Sequence, residues 1–184
     1  MKKVTFVIGV LISVFIVNPA FAQSPFNYFL MISGIPGESQ DQRHLNWIEL
    51  ISFKEGMSQP GVASRSVGGA ASATRVQMAD LTITKRVDKA SVVLRKNCSS
   101  GQQIKEAYLS CVYKTGMQQE IFNIKLENFI VSGVKLNADS LGFWEEITLS
   151  YSKIEWKYTG VDPKTGKPIG EVKAAYDVIA NRTY

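Results

Sequence analysis

From Lys153 to Thr159 the chain alternates without a break, with Ile154, Trp156 and Tyr158 set between Lys153, Glu155, Lys157 and Thr159. A period of two sends the apolar set to one face of an extended strand and the polar set to the other, giving one buried and one wet face. Ile147, Leu149 and Tyr151 carry the same alternation just upstream. Phe26–Ile32, Trp47–Phe53 and Phe129–Leu136 are richer in apolar and aromatic residues, as expected of strands covered on both faces or lying at an interface. Ile104–Tyr113 and Gln119–Leu126 flank Lys114-Thr115-Gly116-Met117, which reads as a hairpin turn. A last hairpin is expected between Tyr158 and Val172, turning at Asp162-Pro163-Lys164-Thr165-Gly166, where Pro fixes φ and Gly permits a positive one.

One segment departs from this period. Ala90, Val93, Leu94, Asn97 and Cys98 recur at helical spacing, Asp88 is placed to cap the first turn, and Gly101 can take the left-handed stop. Arg95 and Lys96 fall in the last turns, where cations favour the helix dipole. One short helix on eight or so strands suggests a closed or nearly closed β-barrel. Between Gly56 and Arg75 the chain turns to Gly, Ser and Ala with almost no large side chains. Loops of that length are functional or disordered, and this one is expected to be the mobile element.

Residues 1–22 read as an export signal. Lys2 and Lys3 precede an uncharged apolar run from Val4 to Val17, and Ala20-Phe21-Ala22 supplies a small-x-small cleavage site, so the mature chain is expected to be 23–184, a single domain beginning at Gln23. The run has 14 residues, short of the roughly 20 that a spanning helix needs. No second apolar run of membrane length follows. Removing Lys2 and Lys3 leaves 19 basic against 16 acidic residues, with the signs interleaved along the chain. Such a surface is an ordinary solvated one, and no nucleic-acid partner is expected.

Signals for catalysis are weak. His44 is the one histidine and sits in the polar stretch Gln40-Asp41-Gln42-Arg43, which reads as a loop, so it is expected to be a solvent-facing or interface residue. One His and two distant Cys cannot supply clustered zinc ligands. Gly166-Lys167 fails as a phosphate loop, because five residues separate Gly160 from Gly166 where four are needed and Pro168 stands where a hydroxyl should. Glu145 and Glu146 are adjacent, so in a strand they point to opposite faces and cannot act as a carboxylate pair. Asn97-Cys98-Ser99 and Asn181-Arg182-Thr183 fit a glycosylation pattern too short to weigh. If Cys98 ends the helix and Cys111 lies deep in the following strand, several residues at about 3.3 Å each separate them, beyond the roughly 7 Å reach of a disulfide. Two buried thiols are expected, with intermolecular pairing left open. No catalytic, cofactor-binding or metal residue is assigned, and no enzyme activity is expected.

Several stretches taken together resemble the haemolysin-coregulated protein (Hcp) family of type VI secretion. They are Ile35-Pro36-Gly37-Glu38-Ser39 after the opening strand, Ile83-Thr84-Lys85 running into Asp88-Lys89-Ala90-Ser91, the helix exit Gly101-Gln102-Gln103-Ile104, and Ile124-Lys125-Leu126-Glu127-Asn128 leading to Ile130-Val131-Ser132-Gly133-Val134. Ile147-Thr148-Leu149-Ser150-Tyr151 with Ile154-Glu155-Trp156 closes the match. Val92 stands where the family usually has Pro, a change the first helical turn tolerates. The resemblance implies a mainly β fold, a two-sheet β-barrel with one short α-helix. It also implies a homo-oligomer of six copies in a ring with a wide lumen, rings stacked into a tube, effector cargo inside and a spike protein at the tip.

The export signal distinguishes this chain from tube proteins loaded in the cytoplasm, and it motivates a second reading, a periplasmic or secreted monomeric binding module with an Hcp-like fold. In either case a secreted or periplasmic protein is expected. Intact-mass measurement of exported material should show a chain starting at Gln23; a mass retaining Met1 to Ala22 would overturn the cleavage reading.

Overall fold

The computed structural model describes residues 24–59, 75–114, 118–140, 142–162 and 164–184. The expected export segment 1–22, the stretch 60–74 of the Gly/Ser/Ala-rich loop and residues 115–117 of the expected turn after Tyr113 lie outside the described residues. Eleven strands and one helix are seen in chain order among the described residues. They are β1 (Phe26–Ile32), β2 (Ile48–Leu50), β3 (Ser52–Lys54), β4 (Met57–Ser58), β5 (Gln77–Met78), β6 (Leu81–Arg86), α1 (Lys89–Ser100), β7 (Ile104–Tyr113), β8 (Gln119–Asp139), β9 (Gly142–Val161), β10 (Pro168–Asp177) and β11 (Arg182–Thr183).

All pairings are antiparallel, and they close a barrel. β1 pairs with β7, β7 with β8, β8 with β9, and β9 with β6. The circuit is completed by one short segment: β2 pairs with β1, the chain bends at Ile51, and β3 pairs with β6. At the bend the Ile51 N–H donates to the Thr84 carbonyl at 2.8 Å, so no donor is lost where the segment changes partner. Trp47–Phe53 is therefore two strands, with Trp47 outside both, where the sequence suggested one. β4 and β5 form a separate two-stranded sheet.

The long strands β8 and β9, of 21 and 20 residues, each serve two parts of the wall. Residues 144–149 of β9 face β6, whereas 153–161 face β10. β8 bends at Asn128, which holds φ of 51°, and at the irregular register between Val131 and Gly133. Gln119–Leu126 and Phe129–Leu136 are thus one strand, and the second part buries one face: Phe129 and Val131 are sealed while Ile130 and Leu136 are exposed. The alternation of β9 sends Glu145, Ile147, Leu149 and Tyr151 into the core, and its phase then slips by one residue across Ser152 and Lys153, so that Ile154 is buried on the new phase. Nearer the β9–β10 hairpin the faces differ from the sequence expectation, with Tyr158 52% exposed and Thr159 buried. At the hairpin tip the Asp162 carboxylate accepts from the backbone of Lys164 (2.8 Å) and Thr165 (2.9 Å), and Gly166 takes φ of 68°, the turn that the sequence signalled.

The helix lies where β6 leaves the sheet. Asp88 caps it, accepting from the Ala90 N–H at 3.0 Å, while Ser91 Oγ accepts from the Asp88 N–H at 3.0 Å. Gly101 ends it with φ of 63°. Ala90 and Leu94 enter the core and Val93 stays partly exposed. The last turn contains no basic residue, because the helix runs on to Ser100; Arg95 instead reaches Glu145.

That contact belongs to a buried ionic cluster. Lys85 Nζ donates to Asp88 (2.6 Å), Glu145 Oε1 (3.0 Å), Ser91 Oγ (3.0 Å) and the Arg86 carbonyl (2.7 Å). Ser91 Oγ donates to Glu145 Oε1 at 2.5 Å, and Arg95 donates to Glu145 Oε2 at 2.9 Å. Lys85 and Glu145 are fully sealed. Two cations meet two carboxylates, so no charge is left over, and β6, α1 and β9 are tied at one point. Glu146 points to the other face and is half-buried, as its adjacency to Glu145 required.

Both cysteines are free, Cys111 buried in β7 and Cys98 half-buried on α1. Burial pushes the Cys111 thiol up to about 12, an unreactive position.

Removing one partner of a buried pair leaves an uncompensated charge. Lys85→Met should therefore cost about 3–5 kcal/mol in denaturant unfolding, and Lys85→Met with Glu145→Leu should recover most of that loss. Equal loss in the single and double variants would mean that the cluster does not act as a charge pair.

Candidate assembly surface

Two regions outside the barrel wall gather polar side chains. The first surrounds His44. The chain from Ser33 to Trp47 folds against the outer face of β1 and β7 and is braced by its own backbone: Gly37 N–H to Asn46 O (2.7 Å), Ser39 N–H to Trp47 O (3.0 Å) and Asn46 N–H to Ser39 O (2.9 Å). Gly37 is required there, since a Cβ would lie 2.3 Å from the Trp47 carbonyl oxygen.

His44, expected to be a solvent-facing or interface residue, is sealed inside its own chain, which rules out the solvent-facing position. Its ring stacks on Phe29 (4.3 Å between centroids, 3° between planes) and meets the edge of Trp47 at 4.9 Å. Nδ1 lies 2.8 Å from Asp41 Oδ1 and Nε2 3.2 Å from Glu120 Oε1 on β8. Burial alone would raise the Asp41 carboxyl, but hydrogen bonds from the His44 ring and from the backbone of Arg43 and His44 hold it below its ordinary range. With a carboxylate oxygen on each nitrogen and aromatic rings over its face and edge, the imidazole is a clasp that binds the loop to β8. Sequence reasoning missed the clasp because Glu120 is 76 positions away; the nearby Asp41, three residues before His44, was the available local signal.

The second region is the base from which the undescribed stretch 60–74 leaves and to which it returns. The sequence suggested a mobile loop from Gly56 to Arg75, but its first described residues form a strand: β4 pairs with β5 through Met57 and Met78, and the Ala79 N–H donates to the Gly56 carbonyl at 2.9 Å. Arg75 donates to the Val178 carbonyl, Tyr151 Oη to the Ala79 carbonyl (3.0 Å) and Ser132 Oγ to Asp80 (3.0 Å). Burial, then the charges of Glu55 and Asp80, push the Tyr151 hydroxyl up, so it stays a donor. Burial also pushes the Glu55 carboxyl above its usual range, opposed by a hydrogen bond from Trp156, and Glu55 Oε1 has no partner. Met57 is exposed beside this base.

Among the described residues no group of three His, Cys, Asp or Glu side chains could hold a metal ion, and no helix is long and apolar enough to cross a membrane. The Gly160–Lys167 stretch is the hairpin tip described above.

Comparison with known proteins agrees with this layout. Residues 29–158 match the family model described as "Type VI secretion system effector, Hcp". Protein hcp1 of Pseudomonas aeruginosa is 32% identical over 158 residues, covering 83% of this chain and 95% of that protein. The crystal structure of Hcp1 from Salmonella typhimurium superposes with a TM-score of 0.71 at 29% identity, over 87% of this chain and 99% of that one. A type VI secretion system effector from Yersinia pestis superposes with a TM-score of 0.66 at 26% identity, over 82% and 99%.

A carboxyl with a raised folded-state pKa binds its proton more tightly folded than unfolded. The cost of ionising it is therefore absent below the unfolded value and grows as pH rises through the folded one. Glu55→Gln should stabilise the fold at pH 7, and the gain should fade as pH falls below the ordinary 4.5 of a glutamate. Melting curves of both proteins at pH 7 and pH 4 check this; a larger gain at pH 4 would contradict it.

Proposed function

The chain belongs to the Hcp family of the type VI secretion system, and from that premise we propose that it works as a structural component by assembling, not by catalysis. In this reading six copies close head to tail into a ring, a contact that closes by rotation. Rings stack into a tube, the lumen carries or chaperones effectors, and a spike protein meets the tube end. The observation that carries the reading is the match to the Hcp family model over residues 29–158, beside which several side chains suited to chemistry are already engaged. His44 is clasped by two carboxylates, Lys85 and Glu145 are consumed in a sealed cluster, and Cys111 is buried. The surface available for assembly includes the base formed by β4 and β5.

Residues 1–22 add a proposed export route, with 23–184 as the mature domain. That leader is the observation favouring the second reading, a monomeric periplasmic or secreted binding module.

Light scattering on the mature chain separates the two. A six-copy particle is expected, and deletion of Gly61 to Thr74 should leave the circular dichroism of the barrel intact while yielding monomers, because the deletion touches no core strand and removes a segment proposed to lie on a neighbour. An intact chain that stays monomeric at high concentration would replace the ring with the binding module.

A further inference from the structure

β10 is paired along one side only. β9 lines it from Pro168 to Asp177, whereas β11 reaches only Tyr176 and Asp177 on the other side, and the Tyr184 N–H takes the Ala175 carbonyl. Among the described residues, Gly170–Ala174 has no strand partner along that second edge. An open edge offers a row of unpaired donors and acceptors to any strand of matching pattern. The faces of this one are sorted. Val172 and Ala174 stand opposite Tyr158 and Trp156, on the side that continues the barrel interior, and Val172 is 70% exposed. Glu171 and Lys173 occupy the other face, with Glu171 3.6 Å from Lys157 and 3.8 Å from Lys173.

We propose that this edge pairs antiparallel with the same edge of a second copy, about a two-fold axis at Val172. A two-fold perpendicular to the sheet keeps each face continuous, so opposed residues must share parity and the axis must pass through a residue. An axis at Glu171 sets Glu against Glu, and one at Lys173 sets Lys against Lys. The axis at Val172 sets Glu171 against Lys173 of the second copy twice over, Val172 against Val172 on the apolar face, and Gly170 against Ala174. Like charges directly opposite are destabilising and opposite charges favourable, so the charges choose the register. The irregularity between Pro168 and Gly170 ends the regular edge on one side, and β11 occupies Tyr176 and Asp177 on the other.

Five residues a side make a small contact, so the pairing is concentration-dependent. It is also isologous, while a ring closes through heterologous contacts. It therefore goes beyond the ring reading, joining barrels of two rings or two free chains.

The test is cysteine cross-linking of the mature chain in a Cys98→Ser background, which removes the half-buried thiol. Opposed Cα atoms in antiparallel pairs lie about 4.5–5.5 Å apart, so Val172→Cys should oxidise to a disulfide dimer, while Lys164→Cys at the hairpin tip should not. Glu171→Lys and Lys173→Glu, each added to Val172→Cys, should cut the dimer yield roughly three-fold or more, given the cost of like charges across a sheet. The double exchange should restore it. Absence of the Val172→Cys dimer at high concentration, or failure of the exchange to restore it, overturns the contact. Rings by light scattering without that disulfide would remove this contact and leave the ring, whereas disulfide dimers without rings would do the reverse.

Discussion

The fold turns on the sealed contact between Lys85 and Glu145. Both side chains are removed from water, a step that costs several kcal/mol per ion before any partner is found. The cost is offset only because Asp88, Ser91, Arg95 and the Arg86 carbonyl satisfy the remaining donors and acceptors. Pairs of this kind add little net stability over apolar replacements; what this one supplies is position. It joins the end of β6 to the helix cap and to β9. α1 is thereby held over the core where β6 leaves the sheet, and Leu94 enters the core from it.

With the helix fixed, the barrel closes through a segment of only seven residues, Ile48–Lys54, that changes partner at Ile51. A wall completed in this way encloses a packed interior of Leu30, Ile83, Leu109, Ile124, Ile147, Leu149 and their neighbours. Outside the wall, polar side chains gather in the His44 clasp on one side and around Glu55 and Tyr151 on another. The proposed function and the further contact both concern the outer faces.

Much of this was legible in the sequence where the signal is local. The alternation through Ile147, Leu149 and Tyr151, the Asp88 and Gly101 caps and the Asp162–Gly166 turn each depend on residues a few positions apart, and the structure has all of them. The features that were hidden depend on distant partners or on bends. Gln119–Leu126 and Phe129–Leu136 looked like two strands because Glu127-Asn128 interrupts the apolar run, yet Asn128 absorbs the bend in a left-handed conformation and the ladder continues. His44 looked wet because Glu120 cannot be seen from residues 40–43. Arg95 looked like a dipole partner because nothing nearby announces Glu145, 50 positions on. The family match, more than any period or motif, points from this barrel to a ring.

Electron microscopy of the mature chain tests that central proposal most directly. End-on particles with six-fold symmetry around an open lumen are the expected result. A uniform field of single barrels at high protein concentration would contradict it.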